Sequence, residues 1–175
     1  MPKSFIITPL SPEHTDQALP VAQALHRDMT LEQWRGAVAP FLESKAASGP
    51  NGGCGAMTCA MSDGHIRGLY CWRVSADGPV ADNSARVLTV PIFVAIGLFD
   101  AAATSAAQID SLEHLARQLG CGTVVVDVRG CVVAATAPKL DAEGLFTRLG
   151  YRLIGEALVR DVGADSAAFA TAGVA

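Results

Sequence analysis

The stretch from Arg86 to Val128 most constrains what this chain can fold into. Residues 86–99 (RVLTVPIFVAIGLF) are almost wholly apolar, as expected of a strand buried on both faces. Next, Ile109, Leu112, Leu115, Ala116 and Leu119 fall on one side of an amphipathic helix, and Gly120 stands where such a helix stops. Residues 122–128 (GTVVVDV) then read as a second buried strand. Two buried strands joined through a helix predict parallel neighbours in a covered sheet. Pro91 predicts an irregularity in the first of them, near its start.

The flanking segments supply the remaining elements. Phe5 to Thr8 reads as a strand, and Ser11-Pro12-Glu13 as the start of a helix running to about Arg27, bent or broken at Pro20. Thr30 and Gln33 fit a capping box. Leu31, Trp34, Val38 and Leu42 mark the buried face of the helix it opens, which is expected to end near Ala46. A loop covers residues 48–55 (SGPNGGCG), and Ala56–Met61 and His65–Val74 form a hairpin about Ser62-Asp63-Gly64. Residues 75–84 are a polar connection, and 129–138 are irregular or partly extended. A short helix from about Asp141 to Leu149 stops at Gly150, and Tyr151–Arg160 returns as a strand; 161–175 is a last strand or a frayed tail. There are no repeats. The expected architecture is one α/β domain spanning 1–175, with a mixed central sheet of about six or seven strands flanked by about four helices.

Composition narrows the partners. Half of the 175 residues are hydrophobic and 17% are charged, which excludes a disordered chain. The net charge is −4 with no run of Lys or Arg, so a nucleic-acid partner is not expected. No apolar stretch approaches the ~18 residues of a membrane span. The apolar stretch at the N-terminus is too short for a signal peptide, so the expected location is the cytoplasm. The five cysteines are odd in number and lack C-x-x-C spacing, which points to reduced thiols and no metal.

The order of elements, and above all residues 86–160, resembles the GNAT N-acetyltransferase superfamily. The scaffold positions of its motifs match: Ala116 and Gly120 on the first helix, then Ala142, Leu149-Gly150 and the aromatic Tyr151. The chemical positions depart from the pattern. The loop's Gln/Arg is Asp100, its two glycines are Ala103 and Ser105, the later Asn is Lys139, and the Tyr that commonly serves as general acid is Phe146. The resemblance implies an acyl-CoA-dependent N-acyltransferase acting on a small-molecule or protein amine, with acetyl-CoA or another acyl-CoA as co-substrate. The alternative is a catalytically inactive GNAT-like module that binds a ligand or dimerises. A homodimer stands beside a monomer.

The resemblance also implies site residues. The pantetheine arm would pair with strand backbone at Phe93, Val94 and Ala95, and an N–H near Val94 or Ala95 would polarise the thioester carbonyl. The pyrophosphate would meet free N–H groups at Ala101, Ala102, Ala103, Thr104 and Ser105, where the helix begins, with Lys139 adding positive charge. Asp100 works against this, since a carboxylate repels a diphosphate. The other reading is that Asp100, Thr104 or Ser105 simply caps the helix. Asp127, the acidic residue inside an apolar strand, is the candidate base if burial raises it; otherwise it is a satisfied strand-end carboxylate. Phe146, at the Tyr position, has no proton to give. The acceptor would lie beneath the junction of the first two helices, near His26 and Asp28, with Trp72 as a wall. Cys131 reads as a buried thiol.

Overall fold

The computed structural model describes residues 5–42, 53–75, 86–97, 101–135 and 142–163. Asp100 and Lys139 lie outside these residues, as do most of the tail from 161 and the expected end of the second helix near Ala46.

Strand β1 (Phe5–Pro9) is followed by two single 3₁₀ turns, Pro12–His14 and Asp16–Ala18, and a four-residue helix α1 (Leu19–Ala22). This replaces the long helix expected to Arg27. Pro20 has no N–H to return to the preceding turn, so the chain tightens into short i→i+3 turns around it. Ser11 does not cap; its hydroxyl lies 2.7 Å from His14 Nδ1. The capping box forms as expected. Gln33 N–H donates to Thr30 Oγ1 (3.2 Å) and Thr30 N–H to Gln33 Oε1 (2.9 Å), opening α2 (Leu31–Leu42), which buries Trp34, Val38 and Phe41.

Strands β2 (Cys54–Met61) and β3 (Ile66–Ser75) form the hairpin. Then come β4 (Arg86–Gly97), α3 (Ala101–Gln118), β5 (Cys121–Asp127), β6 (Cys131–Ala135), α4 (Ala142–Arg148), β7 (Arg152–Ile154) and β8 (Ala157–Asp161). Gly120 closes α3 at φ 67°, a left-handed conformation that glycine adopts without penalty. The eight strands form one sheet in the order β1-β2-β3-β4-β5-β8-β7, with β6 beside β4. Among the described residues only the β4–β5 and β4–β6 pairs are parallel. The sequence expectation of six or seven strands falls short because residues 131–135 pair as a strand and because Tyr151–Arg160 folds back on itself as β7 and β8.

The sheet carries a core on each face. On one face α3 and α4 bring Ile109, Leu112, Ala116 and Phe146 onto Leu88, Val90, Phe93, Val124 and Val126. On the other, α1 and α2 bring Val21, Trp34 and Val38 onto Leu69, Cys71 and Val94.

Strand β4 is the hinge of the architecture. Opposite β3 it pairs Thr89 with Arg73 and Ile92 with Cys71, so three steps of β4 face two of β3 and a bulge falls at Val90–Pro91. On its other edge β4 pairs with β5 as far as Val90–Val126, then with β6 from Phe93–Cys131 to Gly97–Ala135. The bulge that Pro91 announced is thus also the point where β4 exchanges one parallel neighbour for another.

Candidate active site

A cavity of about 410 Å³ opens where β4 leaves β5, and is lined by Arg73, Thr89, Val90, Pro91, Val125, Asp127 and the turn before β8. Arg73, Thr89 and Val125 lie in one lateral row across β3, β4 and β5, and the Thr89 hydroxyl donates to the Arg73 carbonyl (3.1 Å). Asp127, the last residue of β5, is exposed, and its Oδ1 accepts the Arg129 N–H (2.9 Å). The Arg129 guanidinium pairs with Glu156, and Val128 N–H donates to the Glu156 carbonyl (3.0 Å), which seats the β7–β8 turn at the rim. The Arg73 guanidinium sits 5.6 Å from the centre of the Phe41 ring. The cavity lies at the carboxyl end of β5 and midway along β4, where neighbours change; such switch points are where open α/β sheets hold ligands.

A second cavity, about 550 Å³, lies between the Pro12–Ala18 turns and α2. Its charged groups are already matched: Arg35 Nε and Nη2 reach the Asp16 carboxylate at 2.9 and 2.5 Å, and this contact holds the Asp16 carboxyl below its ordinary range.

No family model matches the sequence, and no curated protein matches it either. Solved structures do match in fold. Ard1 from Thermoplasma volcanium aligns at TM-score 0.60 and 14% identity, over 90% of this chain and 97% of that one. AAC(6')-Iy in complex with the bisubstrate analogue CoA-S-monomethyl-acetylneamine aligns at 0.61 and 12%, over 86% and 95%. A GCN5-related glucosamine N-acetyltransferase region in a fungal multi-domain GH3 β-N-acetylglucosaminidase aligns at 0.61 and 12%; it covers 89% of this chain, which spans 18% of that longer one. The chain has the GNAT fold.

Laid over the GNAT fold, several sequence expectations need correction. Phe93, Val94 and Ala95 are fully buried, and β4 is paired there on both edges, with β3 and with β6. Their backbone is therefore spent, and no N–H near Val94 or Ala95 faces a cleft. Strand β5 does part from β4 after Val90, but β6 fills the gap. Phe146 is in the core, with ring centroids 5.1 Å from Phe93 and 5.0 Å from Tyr151 in edge-to-face contacts; it lines neither of the two cavities.

Residues 101–105 form the first turn of α3. Ala102 and Ala103 are exposed, while Ala101, Thr104 and Ser105 are buried. The Ser105 hydroxyl donates to the Ala101 carbonyl (2.7 Å), so it is turned along the helix and not toward an anion. Asp127 is exposed at the end of β5, so the burial that would have made it a base is missing. His26 and Asp28 are exposed on the α1–α2 face, whereas Trp72 packs on the α3 face with its ring against Gly55; the structure does not bring the three together. Burial pushes the Cys131 thiol up to about 12, with the Asp127 charge adding to it, so it supplies no thiolate.

Of the predicted residues, Asp127 alone lines the cavity. Arg73, Thr89, Arg129 and Glu156 were missed. Pro91 was the available signal, since a proline inside a buried strand marks the place where the ladder is interrupted.

Proposed function

We propose that the protein transfers an acyl group from an acyl-CoA to an amine. The observation that carries this reading is the exchange of neighbours on β4 at Val90–Pro91, which opens the Asp127 cavity at the switch point of two parallel strands. In the transfer, the amine nitrogen bonds to the acyl carbon, the carbon–sulfur bond breaks, and the proton lost by the amine is matched by one gained by the departing thiolate. Asp127 holds the amine at the cavity rim. Phe146 is buried and has no proton, so the thiolate is protonated by water.

The co-substrate arm takes a different strand from the one the family pattern implies. Among the described residues β4 is paired on both edges, whereas β6 pairs only with β4. Phe93 N–H donates to the Gly130 carbonyl (2.8 Å), and parallel alternation then turns Val132 and Ala134 toward β4 and Val133 outward. The outer main chain of β6 is thus the edge on which a pantetheine amide can pair. All five cysteines are unpaired, which suits the reducing cytoplasm.

Thermal unfolding with acetyl-CoA, read beside release of CoA thiol on addition of amines, tests the proposal. A ligand that binds only the folded chain raises Tm. A positive shift with amine-dependent thiol release is expected. No shift and no release would leave the chain a non-catalytic module.

A further inference from the structure

We propose that the cavity between Arg73 and Asp127 takes a small amine that also carries a carboxylate, an amino-acid-like zwitterion. This rests on the acyltransferase reading only for the fate of the amine; the binding claim stands on the cavity itself. Its four charged lining groups are Arg73, Arg129, Asp127 and Glu156, two of each sign. Arg129 and Glu156 pair with each other. The remaining two stand apart. Arg73 is on β3, and no carboxylate reaches its guanidinium among the described residues; its nearest recorded partner is the Phe41 ring. Asp127 is on β5, with one oxygen committed to the Arg129 N–H.

Strand β4 lies between them and Asp127 stands two residues beyond the Arg73–Thr89–Val125 row, so their backbones are separated by roughly 12 Å. Both side chains line the same opening, with the small Thr89 and apolar Val90, Pro91 and Val125 as its floor. A site with a cation on one wall, a carboxylate on the other and a short apolar floor selects a ligand with the complementary dipole. An amine alone leaves Arg73 unmatched, and a carboxylate alone leaves Asp127 with only Arg129 beside it. Arg73 is suited to the carboxylate because its planar fork donates to two oxygens at once. Phe41 stacking holds the fork in place without consuming its donors.

Three probes of one chain length separate the possibilities: 4-aminobutyrate, butylamine and butyrate. Without acyl-CoA, 4-aminobutyrate should raise Tm by about 3–6 °C at ten times its Kd, and the two single-charge probes should not. Arg73→Gln and Asp127→Asn should each remove the shift while leaving the unliganded Tm close to that of the parent. An equal shift with butylamine or butyrate, a shift that survives both substitutions, or no shift with any probe overturns the proposal. Binding of 4-aminobutyrate without thiol release from acetyl-CoA would keep the site and defeat only the acyltransferase reading. Thiol release equal for butylamine and 4-aminobutyrate would do the reverse.

Discussion

Gly130 packs so closely on Pro91 that a β-carbon at 130 would fall 1.9 Å from the Pro91 carbonyl oxygen. This contact is where β4 passes from β5 to β6. Pro91 interrupts one ladder, and Gly130 lets the returning chain come close enough to start the next, with Phe93 N–H on the Gly130 carbonyl. The covered edge of β4 depends on that approach.

Gly130→Ala should therefore loosen β6. The clash is with backbone, so no side chain can swing away, and overpacking of this kind costs about 1–3 kcal/mol. For a chain of this size the Tm should fall by roughly 2–12 °C. Hydrogen exchange should show the loss concentrated at residues 131–135. Unchanged protection there would mean that β6 is held by something other than this contact.

Phe146→Tyr should destabilise the protein. The ring is fully buried between Phe93 and Tyr151, so the added hydroxyl enters an apolar site. A buried hydroxyl without a partner costs about 1–3 kcal/mol. Denaturant titration should show a lower midpoint at an unchanged slope. A neutral or stabilising result would show that the hydroxyl finds a partner.

The central strand, helix and strand were legible because their signals are local: an uninterrupted apolar run, a 3.6-residue period, a glycine stop. β6 was not. CVVAA is too short to announce itself, and its extended form comes from pairing with β4, some forty residues earlier in the chain. Thr104 and Ser105 look like loop residues by composition, yet they lie on the buried side of α3. In the site, Asp127 stood out as a carboxylate among valines, but being the last residue of its strand it escapes burial. Arg73 was illegible because only the lateral register of three strands sets it level with Val125, two residues before Asp127.

Gly68→Ala tests a second close approach. A β-carbon at 68 would lie 2.4 Å from Gln108 Oε1, and Gln108 is fully buried with its Nε2 donating to the Val94 carbonyl (3.2 Å). The amide has no solvent to retreat into, so the single substitution should cost about 1–3 kcal/mol. Adding Gln108→Ala removes the obstruction, and the double variant should be less destabilised than the sum of the singles by roughly 0.5–3 kcal/mol. Strict additivity in the denaturation cycle would show that the two side chains do not compete for the same space.

Arg160→Met should give a destabilisation that depends on pH. Glu113 is buried on α3; Arg160 Nη1 from β8 reaches its carboxylate at 2.8 Å, and Arg117 Nη2 reaches it at 3.4 Å. Burial raises the Glu113 carboxyl above its ordinary range, and the two arginines pull it back down. Removing Arg160 raises it further. A carboxyl with a higher pKa in the folded state binds more protons folded than unfolded, so stability falls as pH rises from about 4.3 up through the raised value. The penalty of Arg160→Met should thus be largest above that value. It should approach the lower end of the about 3–5 kcal/mol typical of a broken buried pair, since Arg117 remains and Arg160 is a quarter exposed. The penalty should shrink as the pH is lowered and Glu113 takes a proton. Glu113→Gln in the Arg160→Met background should abolish this pH dependence, because the uncharged amide leaves no buried charge to neutralise. A penalty that does not change with pH would show that Arg160 acts through its hydrogen bond to the Leu149 carbonyl (2.5 Å) and its packing on Tyr151, 5.9 Å from its guanidinium, and not through the Glu113 charge.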